Sequence, residues 1–251
     1  MSLAGRVALV SGAGNGLGRA IAVALSAAGA RTVLVGRNLE KLARTAAELD
    51  SARIALADVS DVDSVAAVRA ELADEPIDIL VNNAGVGGPV APLTEIRPDE
   101  WDAVFAANVR GVFLVCQAFL PTMIDRGKGD IINIASVTGK RPLARRTPYA
   151  ASKMAVLGLT RTLAAEVGPL GVTVNALSPG PVRGERMDHN FRLEASVTGT
   201  SVADAERAFV SRAALNRLVE EPEVGAAVVA MLGMPGLCGA DIDLSAGMIA
   251  P

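Results

Sequence analysis

Aromatic residues are scarce: one Trp, one Tyr and five Phe make up 3% of the 251 residues, so aliphatic side chains must fill the core. Histidine occurs once and cysteine twice. Cys116 and Cys238 have neither metal-ligand spacing nor the density of a disulfide framework, which implies no metal site, two buried small hydrophobes and a reducing compartment. An excess of positive charge is also missing. Lys and Arg number 24 against 27 Asp and Glu, a net charge of −3, which supplies neither an electrostatic footprint for nucleic acid nor a polybasic membrane segment. Long apolar runs are absent as well: Val112 to Val115 and Ala226 to Leu232 stop short of the roughly 20 residues that cross a bilayer. Arg6 precedes only Val7 to Val10 before glycines intervene, unlike a secretory leader. These absences predict a soluble cytoplasmic protein that handles a small molecule and has no nucleic-acid or membrane partner.

What is present excludes other classes. A hydrophobic fraction of 51% with 20% charge rules out a disordered chain, and 25 glycines without an every-third-residue period rule out collagen. The length is ample for a core without staples, and no repeat or low-complexity linker divides it, so residues 1–251 read as a single domain. Short β-type runs recur at Val7 to Val10, Thr32 to Val35, Ile54 to Leu56, Ile77 to Val81, Ile131 to Ile134, Val172 to Leu177 and, last, Ala240 to Ser245. Between them lie helical stripes such as Ile21, Leu25 and Ala28, or Leu39, Leu42, Ala46 and Leu49. Near-continuous apolar strands separated by helices predict an α/β fold with a doubly wound parallel sheet, Rossmann-type, covered by helices on both faces. From Pro179 to Thr200 the rhythm fails, and the chain reads as an irregular stretch before helical spacing returns near Ala203. A long insertion beyond the carboxyl ends of strands is a candidate substrate lid, here around residues 181–215.

Three groups of residues fall where such a sheet offers its binding edge. The first strand runs into Ser11-Gly12-Ala13-Gly14-Asn15-Gly16-Leu17-Gly18 and directly into a helix, whose amino terminus would present unpaired N–H groups to a pyrophosphate. Asp58 follows the third strand and Asn82-Asn83-Ala84-Gly85 the fourth; singly, each also fits an ordinary turn. Tyr149-Ala150-Ala151-Ser152-Lys153 puts an ammonium one helical turn from the chain's sole tyrosine, with Ser136 and Asn108 upstream. A tyrosine's ordinary pKa of about 10 makes it a poor base near neutrality, and a neighbouring cation favours its ionised form.

Together these motifs resemble the short-chain dehydrogenase/reductase family along essentially the whole chain, from Arg6 to Gly247. The resemblance implies an NAD(P)-dependent oxidoreductase that interconverts a secondary alcohol and a ketone, with a tetrad of Asn108, Ser136, Tyr149 and Lys153. It implies a cofactor site drawn from Gly12, Asn15, Gly16, Leu17, Gly18, Asp58, Val59, Asn83, Ala84, Gly85, Tyr149, Lys153, Pro179, Gly180 and Val182. It also implies a homo-oligomer, tetramer or dimer, and no metal. Asn108 would hold a water linking Lys153 to solvent. Two departures stand out: Ser11 replaces a Thr but keeps its hydroxyl, and Gly184 stands where a Thr usually touches the cofactor. A dinucleotide-binding regulator without turnover is the rival reading, and the complete tetrad weighs against it. A nucleotide-sugar epimerase of the longer-chain relatives would need an extra domain.

Two finer readings remain open. Gly36 takes the place of the carboxylate that would chelate an adenosine ribose, and Arg37 follows, which favours NADP(H) while leaving NAD(H) possible. Lys140, Arg141, Arg145 and Arg146 crowd the loop between Ser136 and Tyr149, with Arg183 and Arg186 able to approach from the lid. Either Arg145, Arg146 and Arg186 meet an anionic substrate such as a hydroxy or oxo acid or an acyl carrier, or the cluster is a solvated loop or subunit contact with salt bridges to Glu185 or Asp188.

Overall fold

A computed structural model describes residues 2–141 and 143–248, apart from the side chains of Arg186 and Val197. The chain runs β1 (Val7–Ser11), α1 (Gly16–Ala27), β2 (Arg31–Gly36), α2 (Leu39–Ala46), β3 (Ala52–Leu56), α3 (Val62–Glu71) and β4 (Ile77–Asn82). It continues with α4 (Pro98–Phe105), α5 (Gly111–Asp125), β5 (Gly129–Ile134), α6 (Thr147–Val167) and β6 (Val172–Pro179). It closes with α7 (Glu185–Thr198), α8 (Val202–Val210), α9 (Glu221–Leu232) and β7 (Asp241–Leu244). The seven strands lie in the order β3-β2-β1-β4-β5-β6-β7. Every neighbouring pair is parallel, which is the doubly wound arrangement expected.

Alternation along each strand builds two cores at once. Val7 and Leu9 of β1 join Leu80, Ile131 and Val174 in a layer filled by α3, α5 and α6, whereas Ala8 and Val10 join Ile79, Ile132 and Leu177 under α1 and α9. Both faces of the sheet are therefore dry. A fully buried Leu, Ile or Val contributes about 1.5–3 kcal/mol relative to an exposed one, so this double layer carries the fold with little aromatic help beyond Phe119. Ile21 and Leu25 of α1 and Leu42 of α2 face the core as their spacing predicts, but Leu39 is 56% exposed and Leu49 follows the helix. Asn38 caps α2 by accepting from Lys41 N, and Leu39, its first residue, precedes the turn that meets the sheet.

Three expectations need correction. The stretch from Pro179 to Thr200 is not irregular, because Glu185–Thr198 is helix α7. Its stripe is thin, with Met187, Phe191 and Ala195 buried at four-residue spacing among charged residues, and Gly184 and Gly199, which read as breakers, sit at its two ends. Second, the short apolar runs conceal a long helix: α4 and α5 are joined through a π turn at Ala106–Arg110. The resulting Pro98–Asp125 spans 28 residues at mean hydropathy 1.7, enough by length and composition to cross a membrane. Here its Val112, Val115, Phe119 and Met123 are packed in the core against the sheet. Third, only Cys116 is buried, and burial pushes its thiol up to about 12; Cys238 is exposed in the connection from α9 to β7.

Candidate active site

The strands end side by side, and their carboxyl ends carry the predicted residues. Beyond β1 the chain turns through Gly12 to Gly18 into α1. A side chain on Gly18 would begin 2.1 Å from the Gly12 carbonyl oxygen and 2.6 Å from Asn83 Nδ2, so that turn closes only around glycine. Asn83 Nδ2 donates to the carbonyls of Ser11 (3.0 Å) and Gly12 (3.3 Å) and thereby ties the loop to β4. Ser11 uses its hydroxyl as the missing Thr would: Oγ accepts from the N–H groups of Asn83 (3.0 Å) and Ala84 (3.1 Å). The amino end of α1 is left open, since Asn15 makes no side-chain cap and the first turn holds no acidic residue. Gly16, Leu17 and Gly18 thus offer the positive end of a helix at the sheet edge, which fits an anionic dinucleotide.

Arg37 and Asp58 follow the neighbouring strands β2 and β3 and face each other, Nη1 to Oδ2 at 3.5 Å. The Ser60 hydroxyl and amide hold the Asp58 carboxyl below its ordinary range, with Arg37 adding a smaller pull. Val59 is buried against Gly111 at the start of α5. At the far side Gly180 N donates to the Leu244 carbonyl (2.8 Å), so the Pro179-Gly180 turn is held by β7, and Val182 bridges Val219.

The tetrad residues come from three elements, with Tyr149 and Lys153 both on α6. Ser136 caps a short 3-10 turn after β5, accepting from Thr138 N at 3.2 Å, and this turn packs on α6 beside Lys153 and Met154. Lys153 is buried; its Nζ donates to the Ile134 carbonyl (2.8 Å) and stands 5.9 Å from the centre of the half-buried Tyr149 ring. Asn108 lies in the π turn, a local widening that aims side chains which a regular helix would not. Its Nδ2 donates to the Val86 carbonyl and to Ser152 Oγ, both at 3.0 Å, and its Oδ1 accepts from Val86 N at 2.7 Å. Ser152 Oγ in turn donates to the Tyr149 carbonyl at 2.8 Å. The point where a side chain would start on Gly85 lies 2.8 Å from Asn108 Oδ1 and 3.8 Å from Lys153 Nζ, which locates the end of β4 in the same cluster.

Sequence reasoning missed Ser152, although its place between Tyr149 and Lys153 was in view. It also missed a buried ladder beneath the site: Asn82 Nδ2 donates to Asn133 Oδ1 (2.8 Å), and Asn133 Nδ2 donates to Thr160 Oγ1 (2.9 Å). Polar residues inside apolar strands were the available signal, because buried amides require partners.

The basic run does not act as one patch. Lys140 pairs with Asp241 (2.7 Å) and Asp243 of β7, and Arg141 donates to the Met248 carbonyl. Arg183 pairs with Glu206 (3.2 Å) and Glu220 (3.1 Å), not with Glu185 or Asp188. Arg145 is exposed in the left-handed region at φ 65°, and its carbonyl accepts from Ala91 N. Arg146 reaches Asn190 Oδ1 of α7 at 2.7 Å and the Gly87 carbonyl at 3.4 Å, and so ties α7 and the loop after β4 to the start of α6, the helix that carries Tyr149. The Arg186 side chain lies outside what is described. His189 is exposed, and Trp101 stacks on Phe105 within α4 at 4.9 Å between ring centres.

A family model described as short chain dehydrogenase matches residues 6–195. The chain is 44% identical over 183 residues to D-threitol dehydrogenase of Mycolicibacterium smegmatis, covering 70% of each protein. Among solved structures, it resembles actinorhodin polyketide ketoreductase with NADPH at 32% identity and a TM-score of 0.92, covering 97% of each chain. It also resembles NAD+-bound xylitol dehydrogenase at 29% identity and a TM-score of 0.92, covering 97% of this chain and 99% of that one.

Proposed function

Because the chain belongs to the short-chain dehydrogenase family, we propose a residue-by-residue course for the alcohol and ketone oxidoreduction that it carries out. The observation that supports this course is the Lys153 ammonium held beside the Tyr149 ring at an edge built for a dinucleotide. Ser136 and Tyr149 hydrogen-bond the substrate oxygen. Tyr149 gives that oxygen a proton in reduction and takes it back in oxidation, and the Lys153 charge stabilises the phenolate that remains. A nicotinamide cofactor supplies or accepts the hydride. Gly12, Asn15, Gly16, Leu17, Gly18, Asn83, Ala84, Gly85, Pro179, Gly180 and Val182 would line its place, Asp58 and Val59 would serve its adenine, and Lys153 would hold its inner ribose. Asn108 acts as a positioning residue, fixing Val86 and, through Ser152, the backbone that carries Tyr149. Conversion of an alcohol or ketone panel, followed by absorbance of the reduced nicotinamide with each cofactor, tests the reading; binding without consumption would favour the regulator instead.

For the cofactor we favour NADP(H). Gly36 presents no carboxylate to repel a 2′-phosphate, and the Arg37 side chain is 71% exposed with a loose 3.5 Å partner that a phosphate can displace. Arg37→Ala should cut kcat/KM for NADP about tenfold and leave NAD nearly unchanged, a loss of about 1.4 kcal/mol. A wild-type preference for NAD, with an unchanged ratio in the variant, overturns it.

For the substrate we propose an anionic group facing Arg146, with the exposed Arg145 at the rim. A hydroxy acid and its neutral amide, assayed on wild type and Arg146→Ala, check this. The acid should lose roughly 2 kcal/mol, some tens of fold in kcat/KM, while the amide scarcely changes. Equal losses would assign Arg146 to holding Asn190 and α7, and a neutral polyol substrate would then be the better reading. Two free thiols fit the cytoplasm. Assembly as a tetramer or dimer fits the exposed Phe113 on α5, and the mass in solution measures it.

A further inference from the structure

One carboxylate stands inside the cradle assigned above to the cofactor's pyrophosphate. Glu221, the first residue of α9, is half-buried, and its Oε1 lies 3.6 Å from the point where a side chain would start on Gly16. The same oxygen lies 2.9 Å from the corresponding point on Gly184. Gly184 has φ 147°, a backbone that disfavours any residue with a Cβ, and a side chain there would collide with Glu221. The departure at Gly184 is thus tied in space to α9: the side chain missing at residue 184 has left room that the Glu221 carboxylate fills. Glu221 supplies the negative charge that α1 lacks in its own first turn.

We propose that Glu221 is a built-in competitor for the cofactor pyrophosphate, so that the dinucleotide binds tightly only when Glu221 is protonated. The proposal rests on the reading of Gly16 to Gly18 as the pyrophosphate seat. Two negative groups at one helix amino terminus, partly withdrawn from water, repel each other. Arg19 of α1 offsets part of this repulsion, but its Nε and Nη2 already donate to Glu48. Glu185 of α7 and Glu220 beside it add repulsion, and Glu220 is itself paired with Arg183. Burial, then Glu185 and Glu220, push the Glu221 carboxyl above its ordinary range against the pull of Arg19. The sign follows: a bound pyrophosphate raises that pKa further, so binding takes up a proton, and affinity falls as pH rises through the pKa of the free protein.

The probe is ADP-ribose, which carries the pyrophosphate without a 2′-phosphate that titrates in the same range. Its Kd and proton uptake are measured by calorimetry between about pH 5 and about pH 9 in buffers of different ionisation enthalpy. Wild type should bind with proton uptake and weaken about tenfold across the range, whereas Glu221→Gln should bind tightly and evenly with no uptake. Adenosine, which has no phosphate, should bind both proteins alike. Equal Kd and equal proton uptake in the two proteins overturn the proposal, and so does an equal change for adenosine, which would mark a structural effect. Should the variant not fold, wild-type binding without proton uptake overturns it alone. If neither ADP-ribose nor a reduced nicotinamide dinucleotide binds wild type or variant, the cofactor reading fails instead.

Discussion

Tyr149→Phe should lower kcat by about a hundredfold to ten-thousandfold, the range that a positioned acid or base contributes, and leave the Kd for the reduced cofactor within about twofold. The ring is half-buried and keeps its packing on α6, so only the phenolic oxygen is lost. Lys153→Ala should behave differently, raising the cofactor Kd and lowering kcat together, because the proposed course asks one ammonium to serve both the ribose and the tyrosine. Stopped-flow binding beside steady-state turnover separates the two patterns. Near-normal kcat for Tyr149→Phe would remove the tyrosine from the chemistry and with it the proposed course.

Gly18→Ala should abolish detectable dinucleotide binding without unfolding the sheet. The added methyl would start 2.1 Å from the Gly12 carbonyl oxygen and 2.6 Å from Asn83 Nδ2, both of them anchored, so the loop must shift rather than a flexible side chain. Overpacking of this kind costs about 1–3 kcal/mol of stability. The displaced Gly12 to Gly18 backbone would no longer aim the amino end of α1, and the loss in affinity should exceed about tenfold, or 1.4 kcal/mol. Circular dichroism and calorimetric titration on one preparation test both halves. Wild-type affinity in Gly18→Ala would show that the loop accommodates the methyl and that the helix end is not what holds the anion.

The strands were legible because burial on both faces writes itself as unbroken Val, Ile and Leu, and the glycine loop because few other sequences join a strand to a helix that way. The pairing of Tyr149 with Lys153 was legible for another reason: they are four residues apart on one helix, and helical spacing alone brings them to one side, whereas Asn108 and Ser136 were joined to them by the family resemblance. Helix α7 was illegible since Met187, Phe191 and Ala195 are too few to stand out among its charges. The partners of the basic residues were out of reach for a topological reason. Lys140 meets Asp241 and Asp243 about a hundred positions later, because β7 is laid next to β6 at the edge of the sheet. Glu221 was hidden in the same way: nothing near it in the chain points to Gly16, and only the packing of α9 on α1 brings them together.

That pairing of Lys140 with the final strand has a consequence for how the molecule is made. Contacts between residues so far apart in the chain form late, because each must close a long loop before it repays the entropy. During synthesis from the amino end, β1 to β6 emerge first, yet the loop after Ser136 and the Pro179-Gly180 turn stay untethered until Asp241, Asp243, Leu244 and the Met248 carbonyl have emerged. The last strand therefore ties down two loops of the candidate site at once, and the carboxyl edge of the sheet takes its final shape only when β7 is laid beside β6.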